Sequence, residues 1–268
     1  MEYDSSAYPD CDPVPQAAIS PHGLAFRPHE DGLGGELLVI NHEREAVEVF
    51  DVGSEGSSVT LTWIGCVPLA ADMYGNGVAV SDDGETLFVT KFFNPATRDA
   101  DLGALLSGDP SGEVRTWTKG EGWRAVPGTE LAGANGIALS PDASAIFVAE
   151  WGGQKLWRFD LTGDTEPQSV ALDFWPDNLR WGDDGLLYVT GQEVTPAQVP
   201  SCLAGDITAC PYTGFDILAI DPETLDTSVV FAYDGQDFGH TTVALPVGDD
   251  YWIGTIFGDK VGKLTAAP

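Results

Sequence analysis

Positive charge is scarce in this chain of 268 residues: Lys and Arg number 12 against 42 Asp and Glu, a formal net charge of −30. Phosphate binding needs clustered Lys and Arg, so nucleic acid is excluded as a partner. Long apolar runs are missing as well. No stretch approaches the roughly 20 residues that cross a bilayer, and Met1-Glu2-Tyr3-Asp4 has neither the basic nor the apolar region of a signal peptide. The expectation is a soluble chain with no membrane span and no export signal. Hydrophobic residues make up 43%, which is too many for a disordered acidic tail.

Several chemical signatures are absent too. There is no G-x-S-x-G elbow, no H-E-x-x-H, no P-loop and no G-x-G-x-x-G after a strand. The four cysteines lack zinc-ribbon spacing. Cys202 and Cys210 bracket a short loop and are disulfide candidates, which implies an oxidising compartment. Cys66 sits in an apolar strand and is either a buried free thiol or the partner of Cys11.

What the chain does have is glycine (32), proline (18) and a repeat. A short apolar strand, an acidic or glycine turn and a second strand recur five times. The copies are Leu24-Ala25-Phe26 with Leu37 to Ile40, Val78 to Val80 with Leu87 to Thr90, Ile137 to Leu139 with Ile146 to Ala149, Leu179 to Trp181 with Leu187 to Thr190, and Val243 to Leu245 with Tyr251 to Gly254. Turns such as Asp82-Asp83-Gly84 and Asp183-Asp184-Gly185 suit tight hairpins, since Asp and Gly tolerate positive φ. They lack EF-hand ligand spacing. Further strand-like runs follow most hairpins, for example 46–51 with 59–67 and 155–161 with 168–173.

Four antiparallel strands per repeat make the blade of a β-propeller. The expected fold is therefore all-β, with residues 1–17 an irregular segment and 18–268 a single propeller domain. About five blades are predicted, the last incomplete because only residues 257–268 follow the fifth hairpin. Residues 92–110 and 192–213 read as loop insertions that line one rim.

In a propeller the first strand of each blade is innermost and the second runs back beside it, so the start of one and the end of the other share a rim. His22 then meets His42, Asn76 lies near Lys91, Asn135 near Glu150 and Trp151, and Asp177 near Gln192. Asn76, Asn135, Asp177 and Asn178 form an all-oxygen set aimed at the tunnel mouth, which suits Ca²⁺ better than Zn²⁺. Asn before Gly has a second reading as plain turn chemistry. The His22–His42 pair fits a general base and its orienting partner, or His42 is a strand-end residue bonded to backbone. His240, near the last inner strand, is a further rim candidate. Trp151, Trp175 and Phe215 are candidates for an apolar substrate wall or for ordinary core.

At these residues the chain resembles the paraoxonase/arylesterase branch of the gluconolactonase and strictosidine synthase-like six-bladed propellers. The resemblance rests on Ser20-Pro21-His22-Gly23 with Asn41-His42, on Ala134-Asn135-Gly136 with Ser140-Pro141-Asp142 and Phe147 to Glu150, on Leu172-Asp173-Phe174 with Asp177-Asn178-Leu179, and on Ile253 to Phe257. It implies a calcium-dependent hydrolase of lactones and aryl esters, secreted or periplasmic, acting on a small-molecule lactone or ester. Asn76, Asn135, Asp177 and Asn178 match the family's catalytic calcium ligands, and His22 and His42 match its histidine dyad. The match starts at what would be the second blade. Gly77 replaces the family's aspartate for a second, structural ion, so one Ca²⁺ is implied. The alternatives are a non-catalytic binding module lacking the first blade, and a sugar-lactonase or strictosidine synthase-like activity on the same scaffold.

Overall fold

In the computed structural model, which describes residues 8–12, 18–55, 58–195, 197–199, 201, 214–234, 238–256 and 259–265, the strands gather into five antiparallel sheets. The first blade runs β1 (Pro21–Pro28), β2 (Gly34–Asn41), β3 (Ala46–Glu55) and β4 (Ser58–Pro68). The second runs β5 (Tyr74–Val80), β6 (Thr86–Phe93), β7 (Glu113–Thr118) and β8 (Gly122–Ala125). The third runs β9 (Ala134–Leu139), β10 (Ala145–Glu150), β11 (Lys155–Asp160) and β12 (Gln168–Ala171). The fourth runs β13 (Trp175–Trp181), β14 (Leu187–Gln192), β15 (Phe215–Ile220) and β16 (Thr227–Tyr233). The last has three strands, β17 (Thr241–Val247), β18 (Asp250–Thr255) and β19 (Gly262–Thr265). All five hairpins expected from the repeat are present, and among the described residues the last blade has three strands, in line with the expected incomplete blade.

The apolar runs account for this layering. The second strands of the third and fourth blades, β10 and β14, are covered on both faces and buried along their whole length, whereas β18 of the last blade is largely half-buried. Outer strands such as β12 face water and read as polar. Between the third and fourth blades the core is built from Phe147, Leu156, Phe174, Leu179 and Leu187, and between the first and second from Ile40, Val47, Met73 and Val89. Gly84 and Gly185 take φ of 75° and 81°, as the Asp-Asp-Gly turns require.

Inner strands neighbour one another in sequence order: β1 packs on β5, β5 on β9, β9 on β13 and β13 on β17. Among the described residues β17 makes at most marginal contact with β1, unlike the other successive inner strands. Leu24 and Phe26 of β1, and Leu245 and Val247 of β17, stand exposed.

Two features modify the sequence expectation. The insertion 92–110 is an ordered element: a single 3-10 turn at Pro95–Thr97 leads into α1 (Arg98–Leu106), whose Leu105 is buried against the site wall. Cys66 is bonded to Cys11, which ties the segment around residues 8–12 to β4. Cys202 and Cys210 lie outside the described residues. No helix of the described residues is long and apolar enough to cross a membrane.

Candidate functional site

Asn76, Asn135 and Asp177 sit at the bulged start of β5, β9 and β13, where the ladder to the next strand skips a residue. The glycines beside the two asparagines do not adopt positive φ, so they are not turn residues. They are required by close approach. A Cβ on Gly77 would strike the backbone of Asn135, one on Gly136 the backbone of Asp177, and one on Gly23 the backbone of Asn76. Each glycine thus lets the next blade set its ring residue against the previous one. The turn reading of Asn-Gly is replaced by a chain of backbone contacts running Gly23 to Asn76, Gly77 to Asn135 and Gly136 to Asp177. Thr90 reinforces it, accepting from Gly77 N at 2.7 Å while its hydroxyl donates to the Asn135 carbonyl.

His22 and His42 meet as expected. Nδ1 of His22 lies 2.9 Å from Nε2 of His42. Nδ1 of His42 is 3.2 and 3.3 Å from the two carboxylate oxygens of Glu45, a residue that sequence reasoning missed. Glu45 has φ 49°, a left-handed conformation uncommon for its residue type, and that conformation turns its carboxyl back onto His42. His42 also stacks on Tyr74 at 4.0 Å, and Tyr74 on Phe93 at 4.4 Å.

A buried polar cluster holds the turn that carries His42 and Glu45. Asn41 accepts from Ser20 N at 2.9 Å and Glu43 N at 3.0 Å, and donates to Glu48 at 2.9 Å. Burial alone would raise the Glu48 carboxyl, but hydrogen bonds from Arg44, Asn41 and Trp63 hold it below its usual range. His42 N also donates to Ser20 O, so the strand bearing His22 and the turn bearing His42 are fixed to each other.

Burial pulls the His22 imidazole down to about 4, helped by the neighbouring His42, and burial pulls His42 to about 4 as well. Both rings are therefore neutral near pH 7. Burial pushes the Glu45 carboxyl up to about 7. When Glu45 is ionised it accepts from His42 Nδ1; His42 Nε2 then accepts from His22 Nδ1. That tautomer leaves a lone pair on Nε2 of His22, which lines the cavity.

The cavity holds about 390 Å³ and is walled by Tyr74, Phe92, Phe93, Leu102 and Trp151, with His22, Asn76, Asn135, Asp177, Gln192 and His240 presenting the polar groups. Arg98 and Leu102 reach it from the insertion 92–110, and Val194 from the insertion that follows β14. Gln192 donates to Asp177 at 2.9 Å and to Thr241 O at 3.1 Å. Buried His240 joins the wall with a positive φ of 54°.

Other expected rim residues lie elsewhere. Lys91 is held by Asp72 at 3.0 Å and Glu113 at 3.8 Å. Glu150 accepts from Ala132 N and the Trp157 indole, a structural role. Trp175 stands behind the wall, its ring 4.4 Å from that of Trp151 and its indole bonded to Val194 O. Phe215 is core, packed among Phe231, Tyr233 and Phe238. Asn178 does not line the cavity; it donates to Asp177 Oδ1 at 2.8 Å.

The ring fits a hard cation on its own chemistry. Oδ1 of Asn76 and Oδ1 of Asn135 are buried and accept no hydrogen bond, a state that costs free energy unless a partner is supplied. Burial also pushes the Asp177 carboxyl up to about 7, against the lowering effect of Gln192. Thr241, at the equivalent place in the fifth blade, likewise has a buried hydroxyl without a partner. Among the described residues no group of three or more His, Cys, Asp or Glu converges as a metal site. The donors here are amide oxygens and one carboxylate.

No family model matches the chain. It is 24% identical over 259 residues to "Protein STRICTOSIDINE SYNTHASE-LIKE 4" of Arabidopsis thaliana, an alignment covering 91% of the chain and 66% of that protein. It is 24% identical over 209 residues to the iron(III) enterobactin esterase of Dickeya dadantii, covering 69% of the chain and 44% of the esterase. The chain thus spans slightly less than two thirds of the strictosidine synthase-like relative. Among solved structures, a chain of a nidogen/laminin complex superposes with a TM-score of 0.56 at 13% identity, over 94% of this chain and 78% of that one. A Bacteroides caccae protein of unknown function gives 0.52 at 11% identity, over 95% and 81%. These superpositions concern the fold alone, and the strictosidine synthase-like relatives agree with a propeller superfamily.

Proposed function

We propose that the chain is a calcium-dependent hydrolase of lactones and aryl esters. The observation that carries this reading is the convergence on one 390 Å³ cavity of a neutral histidine pair, two buried amide oxygens without partners and a desolvated carboxylate. Asn76, Asn135 and Asp177 would hold the ion, with Asn178 and Gln192 orienting the carboxylate. A set of this kind is too hard for zinc and leaves calcium positions open for water and substrate. When bound, Ca²⁺ polarises the ester carbonyl and stabilises negative charge developing on its oxygen.

The chain's own residues supply the proton traffic. His22 Nε2 takes a proton from a water as the water oxygen bonds to the carbonyl carbon. On collapse the ester C–O bond breaks and the same proton passes from His22 to the departing alkoxide or phenoxide. His42 and Glu45 fix the tautomer that makes this direction of transfer available. The wall of Tyr74, Phe92, Phe93 and Trp151 excludes water and holds an apolar substrate body. A relative named as an esterase supports ester cleavage.

Two further readings each have an observation behind them. The long alignment to a strictosidine synthase-like protein favours related chemistry, or sugar-lactone hydrolysis, on this scaffold. The unpaired flank between β17 and β1 favours a binding module that holds calcium without turnover. Hydrolysis of phenyl acetate and γ-butyrolactone, followed with calcium and then with a chelator, separates them. Calcium-dependent turnover that is lost in His22→Gln supports the hydrolase. Calcium binding with neither substrate turned over overturns it.

A further inference from the structure

The aromatic wall that begins at the histidine pair ends in a cation. His42, Tyr74 and Phe93 stack in succession at 4.0 and 4.4 Å, and the Arg98 guanidinium lies 5.9 Å from the Phe93 centroid. Arg98 opens α1 at the exposed rim and lines the same cavity as His22.

Most arginines of the chain are tied to protein partners. Arg27, Arg44, Arg115 and Arg124 each pair with a carboxylate, and Arg180 donates to the carbonyls of Leu179 and Leu24; Arg158 has no such partner among the described residues, but it does not line this cavity. With 42 acidic residues available, Arg98 makes no hydrogen bond or ion pair with any described residue. Its planar donors are open, beside the Phe93 ring and close enough to Tyr74 to act on its hydroxyl. Among the described residues Arg98 is the one Arg or Lys that lines the cavity; the other ionisable groups there are His22, Tyr74, His240 and Asp177.

We propose that Arg98 is the subsite for a carboxylate carried by the substrate at the end remote from the scissile carbonyl. The preferred substrates are then esters or lactones with an apolar body that ends in an anionic group. A guanidinium takes a carboxylate through two parallel hydrogen bonds, a match that an amide or hydroxyl cannot reproduce. The body lies along Tyr74 and Phe93, and the carbonyl reaches His22 and the oxygen ring. The placement of the scissile group rests on the hydrolase reading, whereas the anion subsite itself does not.

Binding alone therefore tests it. The full chain is titrated by calorimetry with 4-phenylbutyrate and with 4-phenylbutyramide, neither of which has a bond to cleave, in calcium buffer and again with chelator. The expected result is affinity for the carboxylate about tenfold or more above that for the amide, as for a charge-assisted contact. Arg98→Gln removes that preference and leaves amide binding unchanged; Arg98→Lys keeps part of it. Equal affinities in the unmodified chain, no binding of either probe, or a preference that survives Arg98→Gln each overturn the proposal. In parallel, the kcat/KM ratio of monophenyl succinate to phenyl acetate should fall about tenfold in Arg98→Gln. If neither ester is hydrolysed while the binding preference holds, the hydrolase reading fails and the anion subsite stands.

Discussion

Nδ1 of His22 lies 2.9 Å from Nε2 of His42, and the far side of His42 faces Glu45. One proton shared along this line decides what His22 shows the cavity. With Glu45 ionised, Nε2 of His22 is a lone pair. With Glu45 protonated, its hydroxyl donates to His42 Nδ1, His42 Nε2–H donates to His22 Nδ1, and Nε2 of His22 carries the proton.

The pH dependence follows from that line. His22 is held down to about 4, so it stays uncharged well below the usual histidine range, and the activity that remains is lost as pH drops through about 4. Glu45 is pushed up to about 7, so a second rise is expected as pH increases through 7 and Glu45 ionises. Glu45→Ala should abolish the upper rise and keep the acid limb. A pH–rate profile with one limb near 6.5, identical in both proteins, contradicts the relay.

Removing the base should cost more than removing its partner. His22→Gln is expected to lower kcat by about 10²- to 10⁴-fold, the usual share of a positioned general base. His42→Gln should lower it less and leave KM nearly unchanged, since His42 touches His22 and not the substrate. Steady-state kinetics of the two variants on phenyl acetate check this; equal, small effects contradict it.

The glycines of the ring give a structural prediction. Gly136→Ala places a methyl against the backbone of Asp177, so it should destabilise by about 1–3 kcal/mol, as overpacking does, and weaken calcium binding. Gly103→Ala, in α1 with open space around its Cβ position, should instead stabilise by up to about 1 kcal/mol. Thermal melts with and without calcium distinguish the two.

Ion binding itself should register as stability. A ligand at 100 times its Kd adds about 2.7 kcal/mol, so saturating calcium should raise Tm in the unmodified chain and not in Asn135→Ala. An equal Tm rise in both proteins contradicts a role for Asn135.

The blades were legible in the sequence because each hairpin repeats an apolar run around an acidic turn, and the buried runs of β10 and β14 are the places where that signal is strongest. The meeting of His22 with His42 followed from strand order alone. What sequence could not weigh was local geometry. Glu45 is one acid among many, and only its left-handed backbone brings it to His42. Lys91 and Glu150 close the expected strands and Phe215 opens β15, yet ion pairs, backbone bonds and core packing draw their side chains away from the cavity. Arg98 lies in an insertion outside the repeat, where no periodicity indicates which side chain turns inward. Thr241 matches the ring position in the fifth blade without the Asn or Asp that marked the others.

The most direct test of the central claim is the kcat/KM for phenyl acetate, measured with calcium, after chelation and after calcium is restored. Turnover is expected with calcium, with a fall of about 10²-fold or more on chelation, as for a lost electrostatic stabiliser, and recovery on restoring the ion. Turnover indifferent to the chelator, or absent throughout, would contradict it.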